Sequence, residues 1–380
     1  MNTTSTNYQR EEELFSLLTL SQIPKIGCKL IARLVQHFGS ASEVLKASPK
    51  NLTKIANISD QIANFILSEQ STAKAVATKE IEYCNQNAIN IIMYNEPQYS
   101  NRLRKCNDAP PFLFTKGNFN LNTRYIVSVV GTRLPTEYGR KNTVSIIEDL
   151  AKFNNVMIIS GLAAGIDTLS HQTALRLGLP TIGVLGHGLK TMYPVENKKL
   201  SLSMQENGGI ITEFFADTVG EPCNFPRRNR IIAGLSDAVI IIEARKKGGA
   251  LITANVAFSY DRDVFAVPGR STDKASEGCN NLIKYNKAGL LTCGNDLIEQ
   301  MKWENKNENT THCNKTNYRP DMDTFEQQIY SILQNVDQMN IDQIAITADL
   351  EMATLSAALL SMEFKGYVEC LPGKRYKIVT

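Results

Sequence analysis

The residues able to do chemistry in this chain are cations and glycines set close together. Val130-Gly131-Thr132-Arg133 joins a glycine, where the backbone can turn tightly, to a hydroxyl and a guanidinium fork that fits a phosphate. Ser160-Gly161-Leu162-Ala163-Ala164-Gly165-Ile166-Asp167 is a glycine-rich loop opening a helical segment, the kind of turn that holds phosphate at a helix N-terminus. Gly186-His187-Gly188-Leu189-Lys190 adds another cation behind a glycine turn. Asn224-Phe225-Pro226-Arg227-Arg228-Asn229-Arg230 sets three arginines within four positions, with a Phe ring on which a base can stack. Lys246-Lys247-Gly248-Gly249-Ala250-Leu251-Ile252-Thr253 repeats the glycine-and-cation theme. Alone, a glycine after a strand is usually a turn residue, and an arginine cluster is more often a surface ion-pair partner. Convergence of several such loops on one edge of a sheet is what makes them a site.

Other chemistries are excluded by spacing. The glycines of 160–167 lie four apart, which is not G-x-G-x-x-G, and no Gly-Lys-Ser/Thr follows as a Walker A loop needs. The eight Cys contain no C-x-x-C pair, and the four His do not cluster with them, so no metal and no other cofactor is expected. His171 follows Asp167 by four residues with no nucleophile motif beside it, and reads as a structural histidine. Glu243, ending a buried strand, is placed to orient an arginine.

The elements that must position these loops are short apolar runs alternating with helical patterns. Tyr125–Val130, Val156–Ile159, Thr181–Leu185, Gly209–Thr212, Ala238–Ile242 and Val264–Val267 read as strands buried on both faces. The fold class expected is α/β: a Rossmann-like, doubly wound, mostly parallel sheet over 121–300, whose ligands bind at the carboxyl ends of the strands. Residues 1–75 read as short helices with Ile23-Pro24-Lys25-Ile26-Gly27 as a helix-hairpin-helix turn. Residues 1–100 carry nine Lys/Arg against nine Asp/Glu, and only Lys25 and Lys29 lie near the turn, so packing is favoured over nucleic-acid contact. Residues 76–120 form a bridge with one strand near Ile89–Tyr94, then an irregular stretch marked by Pro97, Pro110, Pro111 and Gly117. Residues 301–320 are a polar linker that Trp303 pins to the core. Residues 321–380 give three helices and a hairpin, a winged-helix pattern.

Charge separates these parts. Residues 101–300 carry 24 Lys/Arg against 18 Asp/Glu, whereas residues 321–380 carry four against nine. The core attracts an anion; the winged helix does not, and its third helix, Ala353–Leu359, offers no Arg, Lys, Asn or Gln to a base edge. It reads as a protein-interaction or regulatory module. No apolar run approaches a membrane span, and the first thirty residues, polar at the start and with three consecutive Glu at 11–13, are unlike a signal peptide, so a cytoplasmic protein without stable membrane association is expected.

Together the runs Val130–Arg133, Ser160–Asp167, Gly186–Pro194, Phe225–Ser236, Gly249–Ala254, Val264–Gly269 and Glu277-Gly278-Cys279-Asn280-Asn281-Leu282-Ile283 resemble the bacterial DNA-processing protein A (DprA/Smf) family. Tyr99–Leu103 and Ala109–Gly117 resemble its leading segment, and the likeness is close over 96–298. The resemblance implies a non-catalytic protein that binds and protects single-stranded DNA, forms a homodimer or higher oligomer on it, and hands it to the RecA recombinase in natural transformation. It implies that Arg133 clamps a backbone phosphate and that Arg227, Arg228 and Arg230 line the same pocket beside Asn229, with Lys190 extending the basic track. Gly131, Thr132, Ser160, Gly161, Gly165, Phe225, Lys247, Gly249 and Thr253 complete the expected DNA-binding set. The chain departs from the family pattern at Ala164, His187 and Gly249. Two alternatives stand on the same core: a nucleotide-processing hydrolase of the phosphoribohydrolase type, for which Glu243 is the nearby acid, and a nucleotide sensor signalling through the winged helix.

Overall fold

A computed structural model describes residues 2–55, 58–304, 322–334, 338–371 and 373–378. The chain divides into two units, Met1–Asn307 and Glu308–Thr380.

The first unit begins with helices α1 (Asn2–Gln22), α2 (Cys28–Phe38), α3 (Ala41–Lys46), α4 (Pro49–Leu52), α5 (Asp60–Ser68) and α6 (Gln70–Gln86). Their periodic Leu17, Leu18, Ile31, Leu34, Val44 and Ile66 turn inward and share one core. The expected hairpin turn lies between α1 and α2, with Lys25 in the left-handed region at φ 67°. That core also takes in Phe112, Phe114 and Phe215, so the helices are seated on the sheet. Helix α6 runs straight through the boundary expected at residue 75.

The sheet has nine strands: β1 (Asn90–Met93), β2 (Phe112–Asn118), β3 (Tyr125–Val130), β4 (Val156–Ser160), β5 (Thr181–Val184), β6 (Gly208–Thr212), β7 (Ala238–Ile241), β8 (Asp263–Ala266) and β9 (Gly289–Leu290). Their order is β1-β2-β6-β5-β4-β3-β7-β8-β9. From β6 to β9 every pairing is parallel, while β1 and β2 are antiparallel additions. The connections carry α7 (Asn101–Arg104), α8 (Glu137–Ala151), α9 (Ile166–Arg176), α10 (Lys198–Ser203), α11 (Asn224–Leu235), α12 (Gly249–Ser259), α13 (Glu277–Lys284) and α14 (Gly294–Gln300). Strand β3 is buried on both faces, which explains a run that is apolar but for Ser128: Ile126 and Val130 face the layer of α11 and α12, and Val127 and Val129 face that of α8 and α9. The chain winds outward from β3 through β4, β5 and β6, then returns to place β7 on the other side of β3. That reversal is the switch point where doubly wound sheets leave a crevice.

Strand β2 corrects the bridging segment, where prolines and Gly117 signalled irregular structure. Gly117, at φ 128°, lies against Gly208 and Gly209 of β6, where a side-chain carbon would meet the Gly208 carbonyl at 2.2 Å. This glycine allows a close strand approach rather than a loop. Trp303 stacks on Tyr125 with ring centroids 4.4 Å apart, holding the end of the unit to β3 as expected. The linker beyond it falls outside the described residues.

The second unit holds α15 (Thr324–Leu333), β10 (Met339–Asn340), α16 (Ile341–Ala348), α17 (Met352–Phe364), β11 (Val368–Leu371) and β12 (Arg375–Ile378). Strand β10, not foreseen, pairs with β12 to make the hairpin a three-stranded sheet. Among the described residues no single helix is long and apolar enough to cross a membrane.

Candidate nucleic-acid interface

The loops after β3, β4 and β5 converge at the switch point as expected. Arg133, Gly161, Ala163, Ala164, Gly186, His187, Tyr193, Pro194, Phe225 and Arg228 line a cleft of about 100 Å³. The ring of Phe225 meets two guanidinium groups, Arg133 at 5.6 Å and Arg228 at 5.9 Å from its centroid. The two cations are not equivalent.

Arg228 is 5% exposed and donates to the carbonyls of Gly161 and Val184, while its Nε donates to Asn229 Oδ1 at 3.1 Å. Burial, opposed by Asp167 and reinforced by the like charge of Arg133, pushes its pKa down to about 10, so it stays charged. Gly161 is required here: a side-chain carbon would stand 2.5–2.7 Å from the guanidinium. Gly165, at φ 85°, lets the Thr132 and Arg133 backbone approach, where a side-chain carbon would meet the Thr132 carbonyl at 2.4 Å. Asp167 accepts from the Gly161 N–H at 3.2 Å, which ties the loop after β4 to its own helix. Arg133 is exposed and has no carboxylate partner among the described residues.

The arginine triplet does not line one pocket, which corrects the expectation. All three residues lie on α11, where successive residues rotate by about 100°, so 228 and 230 point about 200° apart. Arg230 is 9% exposed and pairs with Glu213 and the Asp108 carbonyl. Arg227 stands on that same side, over the Phe214 ring at 5.0 Å.

Several other expected contacts are spent inside the protein. The buried Ser160 hydroxyl donates to the Val129 carbonyl at 2.6 Å. Thr132 Oγ1 accepts from the Leu134 N–H at 3.3 Å, and Gly131 lies under Ile166. Thr253 is buried with its hydroxyl toward the Gly249 carbonyl at 3.5 Å. Asn229 orients Arg228, and Lys190 pairs with Asp217 at 2.6 Å. Lys247 is exposed on the loop after β7, just before Gly249 opens α12.

Sequence reasoning missed Tyr193 as a lining residue. Its ring lies 6.0 Å from that of Phe225, making a second aromatic face at the cleft. The signal was an aromatic inside the Gly186–Pro194 run. His187, a departure from the family pattern, fastens this loop: its Nδ1 donates to the Gly188 carbonyl at 2.8 Å, and its Nε2 accepts from the Tyr193 N–H at 3.2 Å.

Glu243 does not orient an arginine. It is 2% exposed and accepts from the N–H (3.0 Å) and hydroxyl (2.9 Å) of Thr136, the N-cap of α8. This acid is committed to a helix terminus rather than to the cleft. Glu243→Gln is expected to lower stability by about 2 kcal/mol in urea unfolding, because charged acceptors are lost from a buried cap.

His171 is fully buried, with Nδ1 2.7 Å from the Thr181 hydroxyl. Burial, aided by Arg228, pushes its pKa down to about 3. The unfolded state therefore takes up the proton first. Stability from the neutral ring is complete above about pH 6.5 and falls as pH drops toward 3. Between pH 7 and 5 the wild type is expected to lose about 2 kcal/mol more than His171→Gln, measured by denaturant unfolding at each pH.

The class of protein is an α/β one, in which a Rossmann-like core with a cationic, aromatic cleft at its switch point is flanked in sequence by helix-hairpin-helix and winged-helix modules. The family model for DNA recombination-mediator protein A matches residues 90–302, that for the DprA winged helix domain 318–374, and that for a SAM-like helix-hairpin-helix tandem 17–69. The chain belongs to the DNA-processing protein A (DprA/Smf) family. It is 32% identical to Protein Smf of Synechocystis sp. over 95% of this chain and 97% of that one. It is 41% identical to DNA processing protein DprA of Streptococcus pneumoniae over 52% of this chain and 68% of that one. The X-ray structure of the S. pneumoniae DprA superposes with a TM-score of 0.66 at 31% identity, covering 76% of this chain and 97% of that chain. DNA processing protein A of Helicobacter pylori, whose structure concerns its single-stranded DNA binding mode, superposes with a TM-score of 0.51 at 29% identity, covering 56% of this chain and 95% of that chain.

Proposed function

We propose that the cleft holds the backbone of single-stranded DNA and that the protein is a non-catalytic recombination mediator. It coats and protects an incoming strand as a homodimer or higher oligomer and delivers it to the RecA recombinase in natural transformation. The observation that carries this reading is the Phe225 ring within 6 Å of two guanidinium groups, that of the exposed Arg133, which has no carboxylate partner among the described residues, and that of the buried, charged Arg228. Arg133 supplies the phosphate clamp, and Phe225 with Tyr193 supplies stacking faces that tolerate any base. The commitment of Glu243 to α8 argues against the hydrolase alternative.

The test is a fluorescence-anisotropy titration of labelled single-stranded and duplex oligonucleotides at several salt concentrations. Binding is expected to prefer single strands, to ignore sequence and to weaken as salt rises. Failure to bind single strands at low salt would overturn the reading. Release of free base from a nucleotide panel would turn it toward the hydrolase.

A further inference from the structure

The winged-helix unit carries a face that the core's chemistry does not use. From residue 321 to residue 364 the chain has no Lys, Arg or His, while Asp and Glu together occur eight times. Beyond residue 320 the basic residues are Lys365, Lys374, Arg375 and Lys377, and all of them follow the last residue of α17. Lys365 and Lys377 are paired with Glu326 and Glu369.

Helix α17 takes the place of a reading helix, meeting α16 at 111°. Its inner face, Leu355, Ala358, Leu359 and Met362, fills the unit's core. On its outer face Ala353, Ala357, Leu360 and Phe364 are exposed. Their spacings of four, three and four put them on one stripe about 16 Å long. Leu360 is 55% and Phe364 85% exposed, and Ile346 of α16 is 81% exposed. Large exposed apolar side chains that share one helix face, as Leu360 and Phe364 do, mark interaction sites. The same two helices carry Asp342 and Asp349 at the two ends of α16, Glu351 just before α17, and Glu363 next in sequence to Phe364.

We propose that α16 and α17 dock a basic amphipathic helix of a protein partner. Its apolar anchors, spaced i, i+3 or i+4 and i+7, lie along the stripe. Its flanking Lys and Arg meet Asp342, Asp349, Glu351 and Glu363. Charge complementarity selects this occupant: a phosphate backbone would meet the carboxylates of Asp342, Asp349, Glu351 and Glu363, and α17 has no Arg, Lys, Asn or Gln to offer a base edge. The inference stands independently of the DNA cleft in the core.

The probe is a fluorescein-labelled synthetic amphipathic helix of roughly 18 residues built from Leu and Lys, long enough to hold its helix on a surface. It is titrated with the full chain by anisotropy. Saturable binding is expected, weakened at least about tenfold by Leu360→Asp/Phe364→Asp and by Asp349→Asn/Glu351→Gln/Glu363→Gln. Phe364→Leu is expected to keep the affinity, and the Leu/Glu counterpart of the probe is expected not to bind. Single-stranded DNA affinity is expected to stay at the wild-type value in all variants. Equal probe affinity in the wild type and both multiple variants would overturn the proposal. So would a loss of DNA affinity confined to the stripe variant, or a wild-type dimer that this variant alone dissolves, since nucleic acid or a second copy would then be the occupant.

Discussion

Arg133→Ala is expected to weaken single-stranded DNA binding by about 2 kcal/mol, roughly thirtyfold, with folding stability unchanged. The side chain is exposed and carries no carboxylate partner among the described residues, so its removal leaves no buried charge behind. What is lost is one charge-assisted fork onto a phosphate and one neighbour of Phe225. Two readouts separate this from general damage. The slope of log affinity against log salt is expected to fall by about 0.7, the value for one phosphate on a single strand. Arg133→Lys is expected to recover the slope but only part of the affinity, because an ammonium keeps the charge and loses the planar fork. An unchanged slope in Arg133→Ala would remove Arg133 from the interface. Arg227→Ala is the contrasting variant, since that side chain stands outside the cleft, beside Glu213.

Arg228→Met is expected to act first on the fold, costing about 3–5 kcal/mol in urea unfolding. The guanidinium is buried among two carbonyls and Asn229, with the charge of Asp167 acting on it. Methionine fills much of the space but leaves those acceptors without a donor and Asp167 without its cation. Burial already holds the Asp167 carboxyl above its ordinary value, and Arg228 draws it back. In the variant that restraint is gone, so the folded-state pKa of Asp167 rises further above its unfolded value than it does in the wild type. Protonation then favours the folded variant, and the stability gap to the wild type is expected to narrow as pH falls from 7 toward 5. A gap that is constant with pH would mean that Asp167 does not depend on Arg228. Loss of DNA binding in Arg228→Met therefore reports on fold and charge together, which makes Arg133 the cleaner probe of the interface.

The sequence by itself determined the parallel core. Strands β3 to β8 lie within a residue or so of the apolar runs that announced them, because a strand buried on both faces is apolar on both faces and its few polar residues fall mostly at its ends. The switch-point loops, the structural character of His171 and the winged-helix pattern were legible for similar reasons: each rests on local spacing. Tertiary structure alone decided which cations share a site. Three arginines in four positions look like one cluster on paper, but helix rotation sends Arg228 into the cleft and Arg230 to Glu213 on the far side. The hydroxyls of Ser160 and Thr132 and the carboxylate of Glu243 have suitable chemistry, yet neighbouring backbone groups already bond to them. Strand β2 hid behind Gly117 because a glycine that admits a close neighbour and one that turns a loop are the same letter. Which it is depends on a strand 91 residues later in the chain, from Gly117 to Gly208.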